Sequence, residues 1–469
     1  MDLNNPTPYD VVIIGGGPGG YAAALYGASA GLRVALVEKD KVGGTCLHRG
    51  CIPAKELLES AAVRRTFDHA ADFGINAPEP TVDWGVTVDR KRRVVDQLFG
   101  GLSQLLKGRK VDVFAGRGTL GPDHQVHVAG NDGTETMLVG DAVILATGSV
   151  PRTIPGFDPD GVHVFTSDEF LDLRTLPARA AVIGGGAIGC EFASTLADMG
   201  SEVTILEGLD KILPGCDKDV ANVVERAFKK KGISIRTGVK VTGHEPAPAG
   251  VSVTFAEGDP LEVDVVVVSV GRAPVTGGVT ARGLGVTVTE RGFFDVDDHC
   301  RTGEPGVWAI GDCIATPQLA HVGFIEGINA IKDVLDEHPT PVDYGKVPWA
   351  IYCQPEVAFV GYGEADAKAA GFDVVTDKHR FVGNSRAVIL GETDGMVKVI
   401  AEKGPDGRAG RLLGVHMVGP WATEQLGQGY LAVNWDATVD EVASLIQPHP
   451  TLSELFGETM LALTGRSLH

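Results

Sequence analysis

Two stretches of this chain repeat one pattern of apolar and polar positions. A run rich in valine and isoleucine from Tyr9 to Ile14 leads into clustered glycines, an alanine-rich segment, Gly31 and a second apolar run ending at Glu38. From Arg179 the segment ARAAVIGGGAIGCEFASTLADMGSEVTILEGLD follows the same order as YDVVIIGGGPGGYAAALYGASAGLRVALVEKD. Gly15, Gly17, Gly20, Gly31 and Glu38 match Gly184, Gly186, Gly189, Gly200 and Glu207. Short valine-rich runs bounded by glycine predict buried strands, and the alanine-rich segments between them predict helices. The repeat therefore reads as two βαβ units of the dinucleotide-binding kind.

Each unit is followed by an apolar run that ends in small residues, DAVILATGSVPR (141–152) and VDVVVVSVGRAP (263–274). The run GVWAIGDC (306–313) is another strand that closes on Gly-Asp. Past Pro348 short alternating strands such as MVKVIAE and LLGVHMV lead into polar helical segments around 424–431 and 439–445. The expected fold is α/β, with two Rossmann-like dinucleotide-binding domains and a C-terminal α+β domain. Expected boundaries are 1–150 with 272–346 for the first domain, 151–271 for the second and 347–469 for the third.

Composition narrows the partners. A chain of 469 residues is too long for one core. The net charge of −20 argues against nucleic acid or an anionic membrane as a partner. No apolar run approaches spanning length, and the start MDLNNPTPYD shows no leader pattern, so a cytoplasmic protein is expected. Seven cysteines in so long a chain make no disulfide scaffold, and a close pair in the cytosol points to catalysis or metal.

In each glycine fingerprint the first glycine permits a tight turn, the second lets the backbone approach a pyrophosphate, and the third lets helix and strand pack closely. The helix start then offers N–H groups and positive dipole to phosphates. Glu38 and Glu207 stand where a carboxylate can accept bonds from ribose hydroxyls, although an exposed glutamate at a strand end is an ordinary feature. A carboxylate at Glu207 repels a 2′-phosphate, and no arginine lies between it and Lys211, so NAD is favoured over NADP.

The segment GGTCLHRGCIPAK (43–55) comes directly after the first unit. Cys46 and Cys51 are separated by four residues, with Gly50 before a helix whose first turn suits Pro53. Cys51 is thereby placed at a helix start, where the dipole stabilises a thiolate, and Lys55 lies one turn on. A zinc site needs further ligands, and no CxxC partner or histidine cluster supplies them. No metal is expected. Near the C-terminus His449 and Glu454 form a histidine–carboxylate pair of the kind that thiol deprotonation uses.

GGTCLHRGCIPAK resembles the active-site motif of the class I flavoprotein disulfide reductases, most closely of the members that oxidise dihydrolipoamide. The likeness runs through both fingerprints, ATG (146–148), GRAP (271–274), IGD (310–312) and PHPTLSE (448–454). It implies FAD on the first unit and NAD on the second. It also implies FAD contacts from Thr45, Thr147, Gly148 and Asp312, with Ala320 and His321 near the ring, and a NAD contact at Gly271. A Lys55–Glu191 ion pair beside the flavin is implied as well. Cys46 becomes the sulfur that meets substrate and Cys51 the one that meets flavin. His449 with Glu454 becomes a base lent by the other subunit, making a homodimer with shared active sites and the C-terminal domain as its dimerisation domain. The implied activity is oxidation of dihydrolipoamide, free or on a lipoyl carrier protein, with NAD⁺, and a 2-oxoacid dehydrogenase complex core is an implied partner.

Several positions depart from the family pattern. His48 and Arg49 replace Asn and Val, Ala54 replaces Ser or Thr, Val275 an Asn, Val322 a Lys, and Gln447 a His. Two alternatives follow: a FAD-dependent reductase of another low-molecular-weight disulfide, and a non-catalytic docking subunit of a multienzyme core.

Overall fold

The computed structural model describes residues 7–468, so the opening six residues, which carry most of the segment read as leader-free, and His469 lie outside it. The chain divides into two compact units. One comprises the chain up to Glu56 with Gly85–Arg152 and Gly271–Tyr344; the other comprises Leu57–Trp84, Thr153–Val270 and the chain from Gly345 on.

In the first unit β1 (Thr7–Ile14), α1 (Pro18–Ser29) and β2 (Val34–Glu38) form one βαβ motif. Val11, Val12, Ile13, Ala35 and Leu36 have no exposed surface, as strands of a parallel sheet covered on both faces require. β1 pairs in parallel with β2 on one side and with Glu135–Leu145 on the other. Asp112–Leu120 lies beyond β2, and Val307–Ala309 lies beyond Glu135–Leu145. After β2 the chain enters α2 (Gly44–Arg49) and α3 (Cys51–His69).

The second unit repeats this order with β3 (Arg179–Ile183), α4 (Ala187–Met199) and β4 (Glu202–Leu206). Its parallel sheet runs Ser234–Arg236, β4, β3, Val265–Val268 and Val164–Thr166. The valine run expected to be one strand is broken at Asp264, whose carboxylate accepts the Arg179 backbone N–H and Nη2, each at 2.8 Å. Leu261–Val263 joins a separate antiparallel sheet, while Val265–Val268 stays in the parallel one. A carboxylate fits poorly inside a buried strand, so the chain changes sheets there.

Within each βαβ motif, helix and strand meet at a contact only glycine permits. A Cβ at Gly20 would lie 1.8 Å from the Gly15 carbonyl oxygen, and one at Gly189 would lie 1.9 Å from the Gly184 oxygen. Gly15 and Gly184 themselves have φ of +112° and +104°. The middle glycines differ. A Cβ at Gly17 meets nothing nearer than the Gly44 Cα at 4.0 Å, and at Gly186 nothing lies within 4 Å.

The C-terminal part of the second unit holds a five-stranded antiparallel sheet. Its strands are β5 (Trp349–Ile351), β6 (Glu356–Gly361), β7 (Val374–Arg380), β8 (Met396–Lys403) and β9 (Ala409–Gly419), in the spatial order β5, β6, β9, β8, β7. β8 and β9 are not the half-buried alternating strands expected from sequence: Met396–Ala401 and Leu412–Gly419 are buried without interruption. Helix Ala422–Asn434 packs on β6 and β9, and α5 (Glu454–Leu463) packs on β7 and β8, so the central strands lose their solvent face.

One buried cation ties this sheet to the parallel-sheet part of the same unit. Lys398 on β8 bonds Asp217 at 3.1 Å, Asp219 at 2.9 Å and Glu364 at 2.8 Å. Asp217 also caps the helix Lys218–Lys230 through the Asp219 N–H. Burial opposes the charge on Lys398, but the three carboxylates outweigh it and raise its pKa. Bonds from Lys368 and Lys398 hold Glu364 below the ordinary carboxylate range; Asp219 is pushed up by burial but held lower by Lys398 and Lys378.

Two outcomes are expected. Gly20→Ala and Gly189→Ala should lose at least about 3 kcal/mol in denaturant melts, because backbone rather than a movable side chain blocks the methyl; Gly17→Ala and Gly186→Ala should melt like the parent. Lys398→Met should cost about 3–5 kcal/mol by stranding Asp217. Glu364 and Asp219 have depressed folded pKa values, so their share is present above the unfolded value near 4 and lost as pH falls through the folded one. The gap between parent and Lys398→Met should thus narrow in acid melts.

Candidate active site

The two glycine turns are built alike. Gly16 N–H donates to Glu38 Oε2 at 2.7 Å and Gly185 N–H to Glu207 Oε2 at 2.6 Å. The other oxygen of each carboxylate accepts the N–H two residues on, from Asp40 and Leu209. Glu207 is buried rather than an exposed strand end, and Glu38 is half-buried. Each carboxylate keeps further lone pairs for ribose hydroxyls. α1 and α4 begin at Gly17 and Gly186 with no side-chain cap, so their first N–H groups face outward for an anion. Open space at Gly17 and Gly186 fits a bound pyrophosphate, because the protein's own packing gives no reason for glycine there.

A cleft of about 590 Å³ adjoins Glu38, within the range of nucleotide sites. Lys41, Val42, Phe99, Ser103 and Ala115 also line it. Sequence reading missed these residues, since they come from a loop, a distant helix and a strand with no shared motif.

The redox segment backs directly onto the first turn. Gly43 N–H donates to the Gly16 carbonyl at 2.7 Å, and a Cβ on Gly44 would lie 2.6 Å from Gly17 Cα. This explains the Gly43-Gly44 pair, which have φ of +105° and +56°. Cys46 then falls within α2, and Cys51 is the first residue of α3. Both are free thiols and partly buried. The Cys46 sulfur is hydrogen-bonded to the Cys51 thiol and accepts the Cys51 backbone N–H. That thiol–thiol bond, with burial, holds the proton on Cys46 by raising its pKa, while the Lys55 charge opposes the rise. Burial raises the Tyr21 phenol to about 12, with the two sulfurs adding to the rise.

The residues that depart from the family pattern have contacts of their own. His48 Nε2 bonds the Val42 carbonyl at 2.9 Å and its ring meets Phe99 edge-on, while Arg49 pairs with Asp40. Both therefore fasten the segment between the cysteines to the loop that lines the cleft. Ala54 and Val322 are buried, and Gln447 lies against Gly457. Val275 acts through its backbone: its N–H donates to Gly148 O and its carbonyl accepts the Thr147 hydroxyl, so its side chain is free to vary.

Around Asp312 a further network gathers in the first unit. Ser149 Oγ donates to Asp312 Oδ2 at 2.5 Å, and Arg272 Nε donates to Ser149 Oγ at 2.7 Å. Arg272 Nη2 reaches the Ser149 carbonyl at 2.9 Å and Thr45 Oγ1 at 3.4 Å. The preceding Gly311 N–H donates to Glu326 Oε2 at 2.6 Å, and Tyr344 donates to Glu326 Oε1 at 2.9 Å. Glu326 has no exposed surface, and burial raises its pKa. Ala320 and His321 open the helix Ala320–Val334 that carries Glu326, and Gly271 has φ of +103° beside Arg272. Ser149, Arg272 and Glu326 were not singled out from sequence; the first two stood inside quoted motifs, but their partners lie far away in the chain.

In the second unit His449 Nδ1 lies 2.8 Å from Glu454 Oε2. The His449 side chain is 69% exposed and that of Glu454 11%. The buried Asn384 holds the turn: its amide donates to Thr451 O at 2.9 Å and to Glu454 Oε1 at 3.4 Å, and its oxygen caps the helix Ser385–Leu390. A carboxylate only accepts, so Nδ1 carries the proton toward Glu454 and the Nε2 lone pair is left able to take one. Glu191 is buried in the same unit and accepts the Tyr352 N–H at 2.9 Å.

Comparison with known proteins agrees with this architecture. Residues 9–327 match the model of the pyridine nucleotide-disulphide oxidoreductases, and 347–460 match the dimerisation domain of the same group. A dihydrolipoyl dehydrogenase of Bacillus subtilis is 43% identical, with 99% of each chain covered. One from Haloferax volcanii is 39% identical over 99% of this chain and 98% of its own. Among solved structures, LpdA from Mycobacterium tuberculosis superposes with a TM-score of 0.91 at 28% identity, covering 97% of this chain and 99% of that one. The HOCl-induced flavoprotein disulfide reductase RclA from Escherichia coli gives 0.85 at 27% identity, over 96% and 99%. Paired thiols on one of two dinucleotide turns, carried by a chain that matches along nearly its whole length, make this protein a member of the pyridine nucleotide-disulphide oxidoreductase family.

Proposed function

We propose that this chain is a dihydrolipoyl dehydrogenase, which oxidises dihydrolipoamide to lipoamide with NAD⁺. The observation that carries the reading is the Cys46–Cys51 contact, built onto the first glycine turn and at the start of α3. Relatives 36–43% identical along nearly their full length carry that name, which supports the choice of substrate. Glu207, buried and held by two N–H groups, supports NAD over NADP.

FAD, when bound, supplies the two-electron carrier between the dithiol and the nicotinamide. Gly15, Gly17, Gly20, Glu38, Thr45, Thr147, Gly148, Asp312, Ala320 and His321 hold it in this reading. Gly184, Gly186, Gly189, Glu207 and Gly271 hold NAD. Residues of the chain carry the thiol chemistry. His449, oriented by Glu454, takes the proton from one substrate thiol. The resulting thiolate attacks Cys46 in the oxidised pair, breaking the Cys46–Cys51 bond and forming a mixed disulfide. The second substrate thiol then displaces Cys46 and gives up its proton to it, so Cys46 leaves as a thiol, His449 keeps the first proton and Cys51 remains as thiolate. The place of Cys51 at the start of α3 supports this division, because a helix N-terminus favours a thiolate. Lys55 supplies positive charge to the pair, and Glu191 is assigned as its supporting carboxylate by the resemblance.

The functional modules are 1–150 with 272–346 for FAD, 151–271 for NAD and 347–469 for dimerisation. A homodimer with shared active sites is supported by the dimerisation-domain match and by the exposure of His449, Trp435, Leu445 and Ile446. We place the protein in the cytosol, consistent with seven cysteines that are all free; among the described residues no helix is long and apolar enough to cross a membrane. A 2-oxoacid dehydrogenase core is the proposed larger partner.

The decisive test is anaerobic reduction by NADH followed by a panel of disulfides. A long-wavelength thiolate–flavin band is expected, with lipoamide turned over faster than glutathione disulfide or other small disulfides; inert lipoamide beside a working alternative would sink the proposal. Cys51→Ser should abolish lipoamide turnover and retain FAD. His449→Gln should lower turnover by about 10²–10⁴, the range for a lost general base, while NADH still reduces the enzyme at the parent rate; stopped-flow absorbance separates the two steps.

A further inference from the structure

We infer that Arg272 is a positioning residue for the flavin side of the site, acting through Ser149 on Asp312 and through Thr45 on the helix that carries Cys46. The inference rests on the reading that Asp312 faces bound flavin.

Hydrogen-bond chemistry fixes the direction of this network. A guanidinium only donates and a carboxylate only accepts, so the Ser149 hydroxyl between them must give its proton to Asp312 and receive the Arg272 Nε–H. The chain Arg272→Ser149→Asp312 is thus polarised one way, and Asp312 Oδ2 is engaged from a fixed direction. The carboxylate cannot rotate without breaking a 2.5 Å bond, which leaves Oδ1 as its acceptor for a ligand hydroxyl. Arg272 Nε also lies 3.9 Å from Oδ2, close enough for direct charge attraction, and the Arg272 side chain is only 11% exposed.

The backbone of the loop is fixed separately. Glu326 holds the Gly311 N–H from the other side, so the Arg272–Ser149 arm adds side-chain orientation rather than loop stability. Arg272 is itself held by the antiparallel pairing of 272–274 with 149–151, which places both ends of the relay on one small ribbon. It also reaches Thr45 Oγ1, one residue before Cys46. One planar fork therefore spans the Asp312 loop and the first turn of α2. A lysine carries the same charge but cannot address both at once.

The test uses purified holoenzyme of the parent, Arg272→Met, Arg272→Lys and Ser149→Ala, following FAD release by the rise in flavin fluorescence. Dithiothreitol-reduced samples are also scanned for the long-wavelength thiolate–flavin band. Arg272→Met should release FAD at least about tenfold faster and shift or weaken the band, with Arg272→Lys intermediate and Ser149→Ala faster than the parent. If Arg272→Met does not fold, Ser149→Ala decides alone. FAD release within twofold of the parent in the folded variants overturns the inference, and so does a lowered Tm with release unchanged, which assigns Arg272 to stability only. Neither readout involves lipoamide, so a wrong substrate assignment would leave this result standing.

Discussion

Gly16 sits where two bonds cross, and the chemistry of the first unit depends on both. Its N–H is held by Glu38 at the end of β2, and its carbonyl is held by Gly43 at the head of the redox segment. The first bond draws the Glu38 carboxylate up to the turn. The second brings Cys46 and Cys51 beside the same turn from its other side. Without a side chain on Gly44 or Gly20, strand, helix and redox segment approach to distances that a Cβ at either position would forbid. Cofactor cradle and cysteine pair are thus one construction rather than two neighbouring sites.

The second copy shows what the first has added. Gly185 has the same two bonds, to Glu207 through its N–H and from the Leu213 N–H to its carbonyl. The segment that arrives there carries Leu213 at φ +47° and a single cysteine of its own, Cys216. Duplicated geometry yields two dinucleotide cradles, and only the sequence of the arriving loop makes one of them a redox centre. Proton handling is divided in a similar way. Cys46 and Cys51 are partly buried, whereas His449 is exposed and bonded to Glu454.

Departures from the family pattern are informative because each has a local account. Val275 works through its backbone, Val322 fills a buried position, and His48 and Arg49 grip the loop between Asp40 and Val42. Cys46, Cys51, Lys55, His449 and Glu454 are not among the departures.

Sequence by itself determined the repeat, the strand–glycine–helix order, the helix start at Cys51 and the His449–Glu454 pair. All are short-range: a glycine's conformation, a proline's φ or a five-residue spacing is written in adjacent letters. Tertiary structure alone decided the rest. The break at Asp264 depends on Arg179, the burial of β8 and β9 on helices packed across them, and the ionisation of Lys398 on carboxylates from two other segments. The relay from Arg272 to Asp312 joins residues far apart in the chain, and Gly43 finds Gly16 only once β2 has brought them together. Hydrogen bonds and burial depend on distance in space, and periodicity along the chain carries no record of which distant donor will arrive at a given acceptor.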